Sequence, residues 1–145
     1  MTTTLDPTRP EAVIWDNDPA IWQNIARSLA AEAKAIDPRV VFLGDSITQG
    51  WSSDGKAEWD ARFAALPSAN LGIGGDRTQS ILWRIANGAF DGLSPELVVL
   101  KIGVNNLWEE VKHYGPDKVA DGVAAIVSAI RAQCPFLRAS AAGIG

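Results

Sequence analysis

Three short apolar runs, each closed by glycine and polar residues, constrain this chain more than any other feature. They are Val40-Val41-Phe42-Leu43, the shorter Ala69–Ile73, and Leu97-Val98-Val99-Leu100-Lys101-Ile102 with its one lysine. A strand with one wet face alternates apolar and polar residues, whereas a run without alternation has both faces buried, as in a parallel sheet covered by helices.

Helical patterns lie between the runs. Asp18-Pro19 supplies a capping carboxylate and a proline for the first helical position. Ile21, Trp22, Ile25, Leu29, Ala33 and Ile36 then recur at helical spacing until Asp37-Pro38. Lys56–Leu66 reads as a second helix, and Thr78–Asn87 as a third with Ile81, Leu82 and Ile85 on one face and Gly88 as its stop. Pro116 opens the last, whose stripe of Val119, Val123, Ile126, Val127 and Ile130 runs to Gln133. Alternating helix and strand predicts an α/β sandwich with right-handed crossovers, and its three parallel strands are expected in the order 2-1-3. Residues 1–17, with Pro7 and Pro10, read as an irregular lead-in, and no linker or repeat divides the remainder of the chain. Pro135–Gly145 does not read as a further strand, which leaves the third strand as an exposed edge and a route to homo-oligomers.

Bulk properties narrow the function. A length of 145 residues fits one domain. Seventeen acidic against thirteen basic residues, a net charge of −4, offer no concentrated cationic surface for nucleic acid or an anionic membrane. No window approaches a membrane span, and the first residues lack signal-peptide architecture, so a cytoplasmic location is the default. The single cysteine, Cys134, excludes an intrachain disulfide and a cysteine-based zinc cluster. Neither a cofactor nor a metal is expected.

Each run ends in a polar mark: Gly44-Asp45-Ser46-Ile47-Thr48, Asn70-Leu71-Gly72-Ile73-Gly74-Gly75-Asp76, and Gly103-Val104-Asn105-Asn106. Open parallel sheets collect their chemistry at the carboxyl ends of strands. Singly, each mark has an ordinary structural reading: Ser46 as a helix cap, the glycines as a tight turn, the asparagines as turn residues. The first is not a Gly-x-Ser-x-Gly elbow, because Thr48 stands at its last position. The second is not a dinucleotide loop, because Arg77 replaces the third glycine, and this disfavours a nucleotide- or flavin-binding domain. Jointly they supply one hydroxyl, one glycine amide and one carboxamide at neighbouring strand ends. That set can attack an ester and hold the resulting oxyanion.

In this order the marks resemble the GDSL family of SGNH hydrolases, named for serine, glycine, asparagine and histidine in four sequence blocks. Val41–Gly50 is similar to the first block, Asn70–Asp76 to the second and Gly103–Asn106 to the third. The run from Asn70 to Arg84 is closest to the branch containing platelet-activating-factor acetylhydrolase catalytic subunits and related bacterial esterases. The resemblance covers about Trp22 to Gln133. It implies a flavodoxin-like three-layer α/β/α sandwich, with residues 18–145 as the N-terminal portion of one such domain. It also implies Ser46 as nucleophile, an oxyanion hole from the amides of Ser46 and Gly75 and the side chain of Asn105, and Asp45 and Asp76 as supports that order the loops. The substrate implied is a small ester, such as an acetylated carbohydrate or lipid-like alcohol.

The family's fourth block, Asp-x-x-His, has no counterpart in this sequence. Its one histidine, His113, lies in the polar connection Glu109–Pro116 and reads as a solvated loop residue. The expectation is therefore a fragment or frame-shifted product with impaired esterase activity, or alternatively a binding or assembly protein that keeps the fold. Trp51 and Trp108, which follow the first and third marks, are candidates to line a cleft.

Overall fold

Strand β1 (Val40–Gly44) occupies the interior of a four-stranded parallel sheet, between β2 (Ser68–Gly72) and β3 (Leu97–Lys101), with β4 (Arg138–Ala141) beyond β3. In this computed structural model, residues 6–63, 65–108, 114–135 and 137–141 are described. Phe42 is in register with Asn70 on one side and Val99 on the other, and Leu43 with Leu71 and Leu100. The order 2-1-3 is the one the sequence predicts. Strand β4 is not: it pairs with β3 from Leu97↔Arg138 to Leu100↔Ala141, inside the stretch that carries no strand pattern. A parallel ladder is made by backbone groups, so the small residues of Arg-Ala-Ser-Ala can enter it without strand-like patterning once the preceding helix returns the chain to that edge. Strand β3 is therefore an interior strand rather than an edge.

Helix α1 (Pro19–Ile36) begins as expected, with the Asp18 carboxylate accepting the Ala20 N–H and proline in the first turn. Its buried line is narrower than the sequence stripe. Trp22, Ala26 and Ala33 are buried, while Ile21, Ile25 and Ile36 are 36%, 37% and 46% exposed. The large indole of Trp22 takes the contact with the body of the protein, and the isoleucines flank it on the rim. Helix α3 (Lys56–Phe63) ends before Leu66, because the residue ahead of Pro67 is disfavoured in helical backbone. The short α2 (Ser46–Gln49) and a 3-10 turn over Gly50–Ser52 precede it.

The two faces of the sheet are covered by different means. Val41, Leu43, Leu71, Val98 and Leu100 join α1, α4 (Thr78–Ala86) and α5 (Pro116–Gln133) in the main core. On the opposite face Phe42 packs with Trp51, Trp59 and Phe63, ring centroids 4.9–6.3 Å apart. One hand of crossover explains the division. The step from β1 to β2 runs opposite to the steps to β3 and β4, so its helices fall on the other face. The lead-in, although irregular, is docked: the Pro7 carbonyl accepts the Thr78 hydroxyl and the Glu11 N–H donates to the Gln79 carbonyl. No helix among the described residues is long and apolar enough to cross a membrane.

Gly122 is where α5 meets this lead-in and the start of α4. A Cβ there would lie 2.7 Å from the Pro7 carbonyl oxygen and 2.9 Å from Thr78 Cβ. Gly122→Ala gains about 1 kcal/mol of helix propensity and meets an overpacking cost of about 1–3 kcal/mol. With backbone on one side of the clash, the cost prevails. Urea denaturation is expected to show a lowered midpoint for Gly122→Ala, against a change within about 0.5 kcal/mol for the exposed control Ser128→Ala.

Candidate functional site

Bare strand ends set the first part of the site. A Cβ on Gly44 would meet the Lys101 carbonyl oxygen and Thr48 Oγ1, both at 2.3 Å, and one on Gly72 would meet the Gln49 backbone nitrogen at 2.2 Å. Glycine at both positions lets α2 lie directly against the carboxyl ends of β1 and β2. Asp45 is fully buried and caps α2, its carboxylate accepting the Ile47 N–H at 3.0 Å. Ser46, the first residue of α2, is exposed.

The second part is the turn Ile73–Asp76, closed by the Asp76 N–H donating to the Ile73 carbonyl at 3.2 Å. Gly75 is its third residue, with φ of +80°, a conformation glycine adopts without penalty. The turn leans on α2: the Gly74 N–H donates to Gln49 Oε1 at 2.8 Å, and a Cβ on Gly74 would lie 3.7 Å from Ser46 Cβ.

The third part leaves β3 through Gly103, φ +124°, into a 3-10 turn over Val104–Leu107. Asn105 Nδ2 donates to the Asp76 carbonyl at 2.9 Å. Its neighbour Asn106 is buried and points the other way. It accepts the Thr78 N–H at 3.0 Å, which caps α4, and donates to Gln79 Oε1 at 2.8 Å. The two asparagines thus divide between the mouth and its support.

All five residues singled out in the sequence lie at this one end of the sheet. Hydrogen bonds tie Gly74 to Gln49 of α2, and Asn105 to Asp76, next to Gly75. No direct hydrogen bond joins Ser46 to Gly75 or Asn105 among the described residues, and His113 lies outside them. Trp51 is held in the aromatic cluster of α3, and Trp108 is 60% exposed.

Beneath the mouth is a buried ion pair that the sequence pattern did not reveal. Asp76 Oδ1 accepts the Trp22 indole N–H at 2.8 Å, and Oδ2 lies 3.1 Å from Arg84 Nη2. Arg84 also donates to the Leu71 carbonyl at 2.7 Å and to the Gly44 carbonyl at 3.4 Å. Burial raises the Asp76 carboxyl from 3.8 to about 6, with Asp45 adding to the rise while Arg84, Trp22 and Arg77 oppose it. Burial likewise lowers Arg84, and Asp76 counters it. The only signal in the sequence is an arginine inside the apolar face of Ile81, Leu82 and Ile85.

Comparison with known proteins agrees with this arrangement. The GDSL-like lipase/acylhydrolase family model matches residues 42–142. The chain is 38% identical over 114 residues to the platelet-activating factor acetylhydrolase IB subunit beta homolog of Drosophila melanogaster, covering 79% of this chain and 48% of that one. It is 34% identical over 124 residues to the human platelet-activating factor acetylhydrolase IB subunit alpha1, covering 85% and 50%. A solved GDSL-like lipase from Bacteroides thetaiotaomicron superposes with a TM-score of 0.61 at 27% identity, covering 84% of this chain and 57% of that one. The chain spans about half the length of the curated relatives it matches.

The raised Asp76 carboxyl has a testable sign. Its folded form holds a proton more tightly than its unfolded form, so its linked stabilisation is complete below pH 3.8 and is lost as pH rises through about 6. Urea denaturation of the unsubstituted protein and Asp76→Asn is expected to show the former losing ground across that window. At about 1.4 kcal/mol per unit, the relative loss is on the order of 1–3 kcal/mol. Taking the difference between the two proteins cancels the exposed carboxylates Asp6 and Glu96, whose shifts are downward.

Proposed function

This chain belongs to the GDSL-like lipase/acylhydrolase family, and on that premise we propose that it carries the nucleophile and oxyanion groups of a serine ester hydrolase. In this reading Ser46 Oγ attacks the acyl carbon while a base takes its proton. The amides of Ser46 and Gly75 and the carboxamide of Asn105 receive the oxyanion. The carbon–oxygen bond to the alcohol then breaks, the alcohol leaves with the proton, and water releases the acid from the acyl-serine.

The observation that carries the reading is the Asn105–Asp76 hydrogen bond, which joins the third mark to the glycine turn leaning on α2, the helix that Ser46 begins. Removing one oxyanion donor typically costs about 10²–10³ in turnover, roughly 2.7–4 kcal/mol. Ile47, the residue after Ser46, is 56% exposed and gives the serine an apolar neighbour suited to a short acyl group or a lipid-like alcohol. The relatives' designation as platelet-activating factor acetylhydrolase subunits is consistent with acetyl as that group, and with assembly into a complex. Because a serine hydroxyl without a base is a poor nucleophile, the 145-residue chain is assigned slow turnover. The presence of a single histidine, His113, favours a second reading, a binding protein that keeps the pocket without catalysis.

Fluorophosphonate labelling, located by mass spectrometry, and p-nitrophenyl acetate turnover with and without added imidazole separate these readings. The hydrolase reading expects labelling at Ser46, its loss in Ser46→Ala, a fall of about 10²–10³-fold in Asn105→Ala, and little change in His113→Ala. Labelling or turnover that is indifferent to Ser46→Ala would overturn the serine assignment.

A further inference from the structure

Two of the three groups assigned to the oxyanion site, the Gly75 amide and the Asn105 carboxamide, are held through Asp76, which the reaction itself does not use. Its N–H closes the turn that holds Gly75, and its carbonyl accepts Asn105. Its carboxylate accepts the Trp22 indole N–H from α1 and is ion-paired with Arg84 of α4 at 3.1 Å. Arg84 carries the connection further. One nitrogen donates to the carbonyl of Leu71 near the end of β2, and the other reaches both Asp76 and the carbonyl of Gly44, two residues before Ser46.

A guanidinium is a rigid plane with donors in a fixed fork, so these carbonyls and the carboxylate are held in one mutual geometry. Apolar side chains in place of both Arg84 and Asp76 would hold the helix to the sheet as well or better, since a buried ion pair seldom adds net stability over well-packed hydrophobic residues. Retaining an arginine here is better explained by geometry than by stability.

We propose that Arg84 is a positioning residue for acyl transfer, acting through Asp76 to fix the Gly75 amide and the Asn105 carboxamide relative to Ser46. The role rests on the hydrolase reading above. Arg84 touches neither the substrate nor the reacting atoms. Lysine would keep the charge that balances Asp76 but, as a point donor, cannot hold two strand ends and the carboxylate together.

The test compares the full chain with Arg84→Lys and with Trp22→Phe, which removes only the indole N–H from the same carboxylate. In ¹H–¹⁵N spectra both variants are expected to move the Gly75 amide and the Asn105 side-chain NH₂ signals, with the distant Gly55 amide unmoved. For p-nitrophenyl acetate, Arg84→Lys is expected to lower kcat at least tenfold with KM within twofold, and fluorophosphonate labelling of Ser46 to slow in parallel. A general loosening of the fold would instead move Gly55 and KM as well. If either folded variant keeps the Gly75 and Asn105 signals and the labelling rate of the unsubstituted protein, the proposal is wrong. Should labelling prove indifferent to Ser46→Ala, the hydrolase reading falls by itself, and the spectra still decide whether Arg84 sets the turn. Trp22→Phe preserves the decision if Arg84→Lys does not fold.

Discussion

The site depends on a charge pair placed where water cannot reach it. Arg84 and Asp76 are almost wholly buried, with side-chain exposures of 2% and 0%. Their attraction must offset the desolvation of both ions, which is why each is pushed toward its neutral form while the partner holds it charged. Removing either one would leave an uncompensated charge in the interior. Because the pair also holds the ends of β1 and β2, that penalty falls on the edge of the sheet where Ser46, Gly75 and Asn105 gather.

The helices serve that edge unequally. Helices α4 and α5, with α1, make the apolar core, while α2 contributes backbone that lies against glycine. The aromatic group of Phe42, Trp51, Trp59 and Phe63 fastens α3 to the opposite face, which steadies the chain leaving α2. Trp22, in a smaller cluster with Ala26 and Ile73, joins apolar to polar: its ring stacks edge-on with Trp83, centroids 5.2 Å apart, and its N–H donates to the buried Asp76 carboxylate.

Local pattern revealed the parts of the fold that local pattern produces. Unalternated runs marked β1, buried on both faces, and β3, which buries Val98 and Leu100 and leaves Leu97, Val99 and Lys101 half-buried, and Asp18-Pro19 marked the start of α1 because a cap is a short-range bond. Strand β4 was illegible because Arg-Ala-Ser-Ala acquires its place from the return of α5, not from its own preferences. Ile21 and Ile25 looked interior because periodicity gives the apolar side of a helix but not the width that a tryptophan leaves free. Of the candidate site, glycine and polar punctuation at three strand ends was readable. Arg84 was not, since an arginine among isoleucines ordinarily lays its stem on apolar surface and sends its head to solvent. Only the strand-end carbonyls, remote in sequence, turn that head inward.

The bond from Asn105 to the Asp76 carbonyl also fixes which end of the carboxamide is which. Reversing the group would set its oxygen against another carbonyl oxygen, lone pair facing lone pair, so one orientation prevails. One hydrogen of the NH₂ is committed to that bond. The second is left with a direction chosen by the backbone of a neighbouring loop, so the donor's aim is settled before any guest arrives.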